Sequence, residues 1–383
     1  MRRASIALAL AALAVACCVP PAISVAAAKK GPPVPKRVAK PITPSFFGIV
    51  PQTALTEEDV RHMQAGGIGS VRMGMGWDSV QKAPGGRYHW EIIDREVAMA
   101  ASHGLRVLPF LGGVAPWLGT SPTTLPVDSP QAIEEWKTFV SAAVRRYGPN
   151  GEFWTEHPPG VEVDGVTIPE PLPIRTWQIW NEVNFFYFAF PVSPARYARL
   201  LKPSANAIRS VDPTAKILLS GLFGDPKEGG PYGRSAADFL NALYRVPRIE
   251  HYFDAVALHP YAFHVEDLEE MVEDVRAVML DNDDPRARLR ITEMGWGSED
   301  NSQVVAFEQG VEGQKRELRD AYRYLLANRR RLKLDGAYWF SWKDSNLYCS
   351  YCDSVGFFSE GSGLLPKPAW YAFVKITGGS AWP

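Results

Sequence analysis

Short apolar runs alternate with longer amphipathic ones from Ser45 onward. That alternation is the signature of repeated β-α units around a parallel sheet. The predicted strands are Phe46 to Val50, Ser70 to Met73, Arg106 to Leu111, Thr176 to Trp180, Lys216 to Ser220, Ala255 to Leu258, Arg288 to Thr292 and Gly336 to Ser341. The segments between them carry recognisable helix ends. Thr56, with Asp59 three residues on, predicts an N-cap, and Gly66 a C-terminal stop. Ser129-Pro130 and Ser193-Pro194 each set a capping Ser before Pro at the first helical position. Pro366 to Tyr371 predicts the start of the last helix. Eight such strands alternating with helices predict a closed (β/α)8 TIM barrel forming a single α/β domain over 45–383. An open doubly wound sheet would more often carry a Gly-rich phosphate loop after its first strand, and none is present. The longest non-periodic stretch, Tyr147 to Pro173, precedes the fourth strand, so a structural role on the face opposite the site is expected of it.

Before Ser45 the pattern is different. Arg2 and Arg3, an apolar run from Ile6 to Ala16 and the small residues Ala26-Ala27-Ala28 predict a signal peptide over 1–28. The run is short for a bilayer span, so no transmembrane helix is expected in the mature chain. Cys17 after Ala14-Val15-Ala16 leaves lipid attachment open, although the usual Leu three positions before the Cys is missing. Residues 29–44, rich in Pro and Lys without apolar periodicity, are expected to be a disordered linker. A secreted or cell-surface location follows from the leader. Removing it leaves Cys349 and Cys352, an even number in an oxidising compartment, for which a local disulfide is the default. Zinc would need two further ligands at a matching spacing, which the chain lacks.

The 383 residues carry a net charge of −1 and no long single-sign run, which excludes bulk attraction of nucleic acid or an anionic membrane. A neutral partner is indicated, and a monomer is expected. The chain has twelve Trp, each a broad apolar face with one donor, suited to sugar rings and equally to core packing.

The chemistry concentrates in two runs, Trp177-Gln178-Ile179-Trp180-Asn181-Glu182 and Leu289-Arg290-Ile291-Thr292-Glu293-Met294-Gly295-Trp296. In each, an apolar strand ends in a carboxylate. An unpaired buried charge costs several kcal/mol, so such a strand end is expected to open into a polar site. Two of them at one barrel rim suggest Glu182 and Glu293 facing a shared cleft, the pairing that glycoside cleavage needs. A Ser-dependent hydrolase is disfavoured by the absence of a G-x-S-x-G elbow.

Trp180-Asn181-Glu182-Val183-Asn184, Thr292-Glu293, His259-Pro260-Tyr261 and Trp339-Phe340-Ser341-Trp342 together resemble the retaining glycoside hydrolases of clan A, most closely family 39 and its exported bacterial relatives. The resemblance implies an oligo- or polysaccharide substrate, no cofactor and no metal. It assigns Glu182 as acid/base and Glu293 as nucleophile. It also implies that Asn181 bonds a sugar hydroxyl, Tyr261 and Arg72 hold the Glu293 carboxylate, His259 meets a sugar hydroxyl or Glu182, and Trp342 stacks under the sugar. Trp77, Trp117 and Trp296, just past strand ends, are either sugar platforms or packing residues. Phe185 to Phe190 line either a groove or the barrel rim. Val183 departs from the usual Pro after the acid/base, which bears on the loop path. The alternative function is a carbohydrate-binding or wall-associated barrel without catalysis.

Overall fold

The computed structural model describes residues 42–300, 307–346, 349, 352–361 and 363–383. The predicted signal peptide with Cys17, and the linker up to residue 41, lie outside the described residues. The strands are β1 (Phe47–Val50), β2 (Ser70–Gly76), β3 (Arg106–Gly112), β4 (Thr176–Ile179), β5 (Lys216–Phe223), β6 (Ala255–His259), β7 (Arg288–Ile291) and β8 (Leu334–Phe340). All pair in parallel, each with its sequence neighbour, and β8 closes on β1 through Phe47 opposite Ala337 and Val50 opposite Phe340. The result is a closed eight-stranded (β/α)8 barrel.

The main helices are α1 (Glu57–Ala65), α2 (Glu91–Ser102), α3 (Pro130–Tyr147), α4 (Pro194–Val211), α5 (Ala236–Tyr244), α6 (Val265–Asp281), α7 (Gly310–Asn328) and α8 (Pro368–Thr377). Their ends follow the caps in the sequence. The Thr56 hydroxyl accepts from Asp59 N–H while Asp59 accepts from Thr56 N–H, closing a capping box. Ser129 and Ser193 accept from the third residue onward, with Pro at the first helical position. Among the described residues no helix is long and apolar enough to cross a membrane.

Strand alternation divides the packing into two regions. Trp177 and Trp339 point outward, into the layer between barrel and helices, whereas Leu108, Leu218, Tyr338 and Phe340 belong to the group of side chains filling the barrel. Residues 147–173 form a short helix, Glu152–Glu156, and a two-stranded hairpin, Glu162–Val163 with Val166–Thr167. The segment is tied down where the Trp154 indole N–H donates to the Tyr147 carbonyl at 2.9 Å. Observed strand ends differ from the predicted ones where function begins: Trp180 and Thr292 fall just past β4 and β7. Cys349 and Cys352 are joined by a disulfide, their Cα atoms 5.3 Å apart.

Candidate active site

Glu182 leaves β4 through an unusual backbone. Trp180 has φ +70° and Glu182 φ +41°, in the left-handed region that costs a side-chain-bearing residue about 1–3 kcal/mol. Neighbouring strands hold this turn. Trp180 N–H donates to Leu111 O at 2.7 Å, and Glu182 N–H to Gly221 O at 3.0 Å. Val183 N–H donates to Ser220 Oγ at 3.1 Å, a bond that a proline at 183 would forfeit. Asn184 then ties the loop to β5: its amide donates to the Phe223 and Arg234 carbonyls, both at 2.7 Å, and accepts from Phe223 N–H at 2.9 Å.

Across the rim, Glu293 is gripped from two sides. Arg72 Nη1 donates to its Oε1 at 2.5 Å and the Tyr261 hydroxyl to its Oε2 at 2.7 Å. Arg72, buried in β2, also donates from Nη2 to Asn181 Oδ1 at 2.6 Å and from Nε to Gln178 Oε1 at 2.8 Å, and its guanidinium lies 4.5 Å over the Phe110 ring. One guanidinium thus aligns residues from β2, β4 and the end of β7. His259, at the end of β6 and fully buried, sets Nδ1 2.7 Å from Glu182 Oε1 and Nε2 2.9 Å from Thr292 Oγ1. Its ring lies against Gly221, where any side chain would collide with it: a Cβ there would fall 1.9 Å from Nε2.

Ligand atoms of Glu182, His259 and Glu293 lie within 4.8 Å of one another. The side chains of Glu182 and Glu293 remain 7% and 10% accessible, so the pair is sheltered and still reachable. Burial pushes the Glu182 carboxyl well above the usual carboxylate range, the Glu293 charge pushes it further, and Arg72 opposes both. Burial, assisted by the Arg72 charge, holds His259 well below the usual imidazole range and therefore neutral. The same three side chains do not fit a divalent cation. Arg72 already occupies Glu293 Oε1, and both His259 nitrogens are engaged.

Arg72, Asn181, Glu182, His259, Tyr261 and Glu293 are therefore brought together. Of the four candidate tryptophans, Trp77, Trp296 and Trp342 are not, and for Trp77 and Trp296 the packing alternative holds. Trp77 is fully buried among Trp117, Trp136 and Phe139, with its indole N–H on Gln81 at 2.8 Å. Trp296 is 1% accessible and donates to Phe263 O at 3.1 Å. Trp342 is equally buried, tilted against Phe358 and edge-on to Trp370, with its N–H on Asp59 Oδ1 at 2.8 Å. No face of these rings is free for a sugar. The aromatic side chain that β8 presents to the site is Phe340, edge-on to Tyr261 at 6.1 Å between ring centroids. Alternation along Tyr338 and Phe340 was the signal for it.

Exposed rings lie instead on the loop after Glu182, where Tyr187 is 63% accessible and stacks on Phe186 at 4.1 Å. Beside this loop a cavity of about 620 Å³ is lined by Phe185, Phe223, Tyr261 and Phe307, with Asp225 and Asp267 on its wall. Tyr261 stands between the cavity, whose wall it joins, and the carboxylate clamp, while Glu182 and Glu293 themselves do not line the cavity.

Fold and site together define a TIM barrel with an opposed, buried carboxylate pair at one rim. No family model matches the chain. It is similar to a beta-xylosidase of Geobacillus stearothermophilus, 25% identical over 232 residues, a match covering 54% of this chain and 40% of that enzyme. Among solved structures it resembles a family 39 glycoside hydrolase from Bacteroides cellulosilyticus WH2, with a TM-score of 0.62 at 18% identity, covering 88% of this chain and 64% of that one. A family 39 beta-xylosidase from Caulobacter crescentus gives 0.61 at 17%, covering 89% and 73%. These likenesses establish the shared barrel, and family 39, to which the motifs pointed, recurs among them.

Proposed function

We propose that the protein is an exported retaining glycoside hydrolase that cleaves an O-glycosidic bond by double displacement. The observation that carries this reading is the asymmetry of the carboxylate pair: Glu293 is clamped by Arg72 and Tyr261, whereas Glu182, one oxygen of which lies within 4.8 Å of a Glu293 oxygen, is pushed by burial and by that neighbour well above the usual carboxylate range. Retaining enzymes separate their carboxyl groups by about 5 to 5.5 Å, and inverting ones by about 6.5 to 9.5 Å to admit a water. The close approach here favours retention.

In the first step Glu293 attacks the anomeric carbon while Glu182 gives its proton to the departing oxygen, so one C–O bond forms as another breaks. The Glu293 charge disappears into the ester. Because that charge is among the causes lifting Glu182, the carboxyl then falls back toward its ordinary range and stays ionised. It can now take a proton from water as the water attacks the glycosyl ester, which restores both groups. With Nδ1–H of neutral His259 donating to Glu182 Oε1, and the Thr292 hydroxyl donating to Nε2, the other Glu182 oxygen is left to carry the transferred proton. Asn181, oriented by Arg72, is placed to bond a sugar hydroxyl.

The rings at 185–190 and the adjoining cavity are proposed to take the leaving-group side of the glycan. Export is supported by the charged, apolar and small-residue order of residues 1–28. The deciding experiment is intact-protein mass after incubation with activated 2-fluoro glycosides of xylose, glucose, galactose and mannose and their short oligomers, followed by peptide mapping. A covalent adduct on Glu293 is expected. An adduct on another residue would overturn the assignment, and glycan binding without adduct or turnover would point to a binding barrel.

A further inference from the structure

We propose that Gln178 is a positioning residue whose neutral amide holds Arg72 in place while leaving the guanidinium charge to Glu293 and the reacting groups. The inference rests on the glycosidase reading and adds to it a residue that never touches substrate.

Gln178 is fully buried in β4, in register with Phe110 on β3 and Leu218 on β5. Its Oε1 accepts from Arg72 Nε at 2.8 Å, which fixes the orientation of the amide, because Nε needs an acceptor. The amide nitrogen is then buried with no partner among the described residues. A carboxylate of the same shape would give Arg72 a charge-assisted bond and leave no orphaned donor, but would bury a second anion on the guanidinium that holds Glu293. What distinguishes the amide is therefore the absence of charge.

The Arg72 network shows where that matters. Of its three hydrogen-bond acceptors, Gln178, Asn181 and Glu293, only Glu293 is ionisable. Arg72 is also the one group that opposes the upward push on Glu182. An anion on the far side of Arg72 would offset its charge, keep Glu182 protonated to higher pH, and hinder the step in which Glu182 must be ionised. The titratable groups facing this network are Glu182, His259, Tyr261, Glu293 and, from β8, Tyr338. Gln178 thus leaves one buried donor unpaired and keeps a charge balance that both half-reactions tolerate.

The test compares Gln178→Glu and Gln178→Met in the full chain. Readouts are kcat and KM against pH on an activated aryl glycoside, thermal midpoint, and a carbon NMR titration of the glutamate carboxyls, with Glu182→Gln for assignment. Gln178→Glu is expected to keep KM while moving the alkaline limb and the Glu182 titration upward by about one pH unit. Gln178→Met removes the acceptor without adding charge. It is expected to lower kcat tenfold or more with the limb unmoved, and to lower the midpoint. The proposal is overturned if Gln178→Glu moves neither the limb nor the titration, or if Gln178→Met matches wild-type kcat. Should Gln178→Met not fold, Gln178→Glu decides alone. If the wild type turns over no glycoside, the glycosidase reading fails, and the NMR titration still decides the charge effect.

Discussion

Gly221→Ala is the sharpest perturbation the barrel offers. The added Cβ would stand 1.9 Å from His259 Nε2 and 2.6 Å from Cδ2. Non-bonded carbon needs about 3.5 Å, so the imidazole must retreat by about 1.6 Å from a site with no free space. Both of its contacts, 2.7 Å to Glu182 and 2.9 Å to Thr292, break with that movement. Overpacking costs about 1–3 kcal/mol, and each buried polar group left unpaired adds about 1–3 kcal/mol, so a loss of about 2–5 kcal/mol is expected after relaxation. Displacing the partner of Glu182 by more than 1 Å should also reduce turnover by about 100-fold.

The measurement is a guanidinium unfolding curve, with a change in midpoint at constant slope reporting stability. Gly112→Ala is the control. It lies at the end of β3 near the same rim, but its added Cβ would meet nothing nearer than 3.8 Å, so it should fall within about 0.5 kcal/mol of wild type. If Gly221→Ala is as mild as Gly112→Ala, with His259 and Glu182 still coupled by NMR, then the packing of His259 on β5 is not what positions the acid.

Tyr261→Phe deletes one donor to Glu293 at 2.7 Å and should lower kcat by about 10- to 100-fold while KM and the unfolding midpoint change little, read by steady-state kinetics. Trp342→Phe should destabilise by about 1–3 kcal/mol, by losing the indole bond to Asp59 Oδ1, which keeps Lys343 at 3.0 Å, and part of the ring's buried packing, and should leave KM unchanged; a raised KM with intact stability would restore the ring to the sugar site. Tyr187→Ala should do the reverse, raising KM for longer glycans without a stability cost, since that ring is exposed. Stability should also depend on pH in a defined sense. Glu182 is lifted in the fold, so its contribution is complete below the unfolded value of about 4.3 and is lost as pH rises through the folded one. His259 is depressed, so its contribution is complete above about 6.5 and is lost as pH falls toward its folded value. Glu182→Gln should flatten the alkaline loss in a denaturant series, and an unchanged slope would contradict the buried, protonated acid.

The barrel was legible because each strand is a short apolar run and because α1, α3 and α4 carry caps that can be read in the sequence. The two carboxylates stood out because a charge closing an apolar strand needs a polar destination. Geometry that depends on register across strands was not legible. Nothing in Leu219-Ser220-Gly221 says that the glycine faces an imidazole two strands from Glu182; that follows from Gly221 standing opposite Ala257, with His259 two residues further along β6. The tryptophans failed for a different reason. Proximity to a strand end says where a residue sits along the barrel axis, but not whether it faces the rim or the helices. Trp77 and Trp342 turn toward the helical layer, where burial of a ring contributes about 1.5–3 kcal/mol or more, and each indole N–H finds a side-chain acceptor there.

That division of aromatic residues bears on what the site recognises. With Trp77, Trp296 and Trp342 committed to the core, the rings that the described residues set against the Glu293 clamp include Phe340, edge-on to Tyr261, and Phe110, under the Arg72 guanidinium. The rings that are free lie further out, at Tyr187, Phe188, Phe190 and Tyr232, on loops that follow β4 and β5. A barrel that binds mainly the sugar being cleaved would concentrate its open aromatic surface against the nucleophile. Among the described residues the open surface begins beyond Glu182, on the side that the proposed mechanism gives to the departing group, and adjoins a cavity of about 620 Å³. Affinity should therefore grow with the length of glycan on that side. Comparing kcat/KM for aryl glycosides with that for oligosaccharides of increasing length measures this directly, and a flat series would place recognition at the cleaved sugar alone.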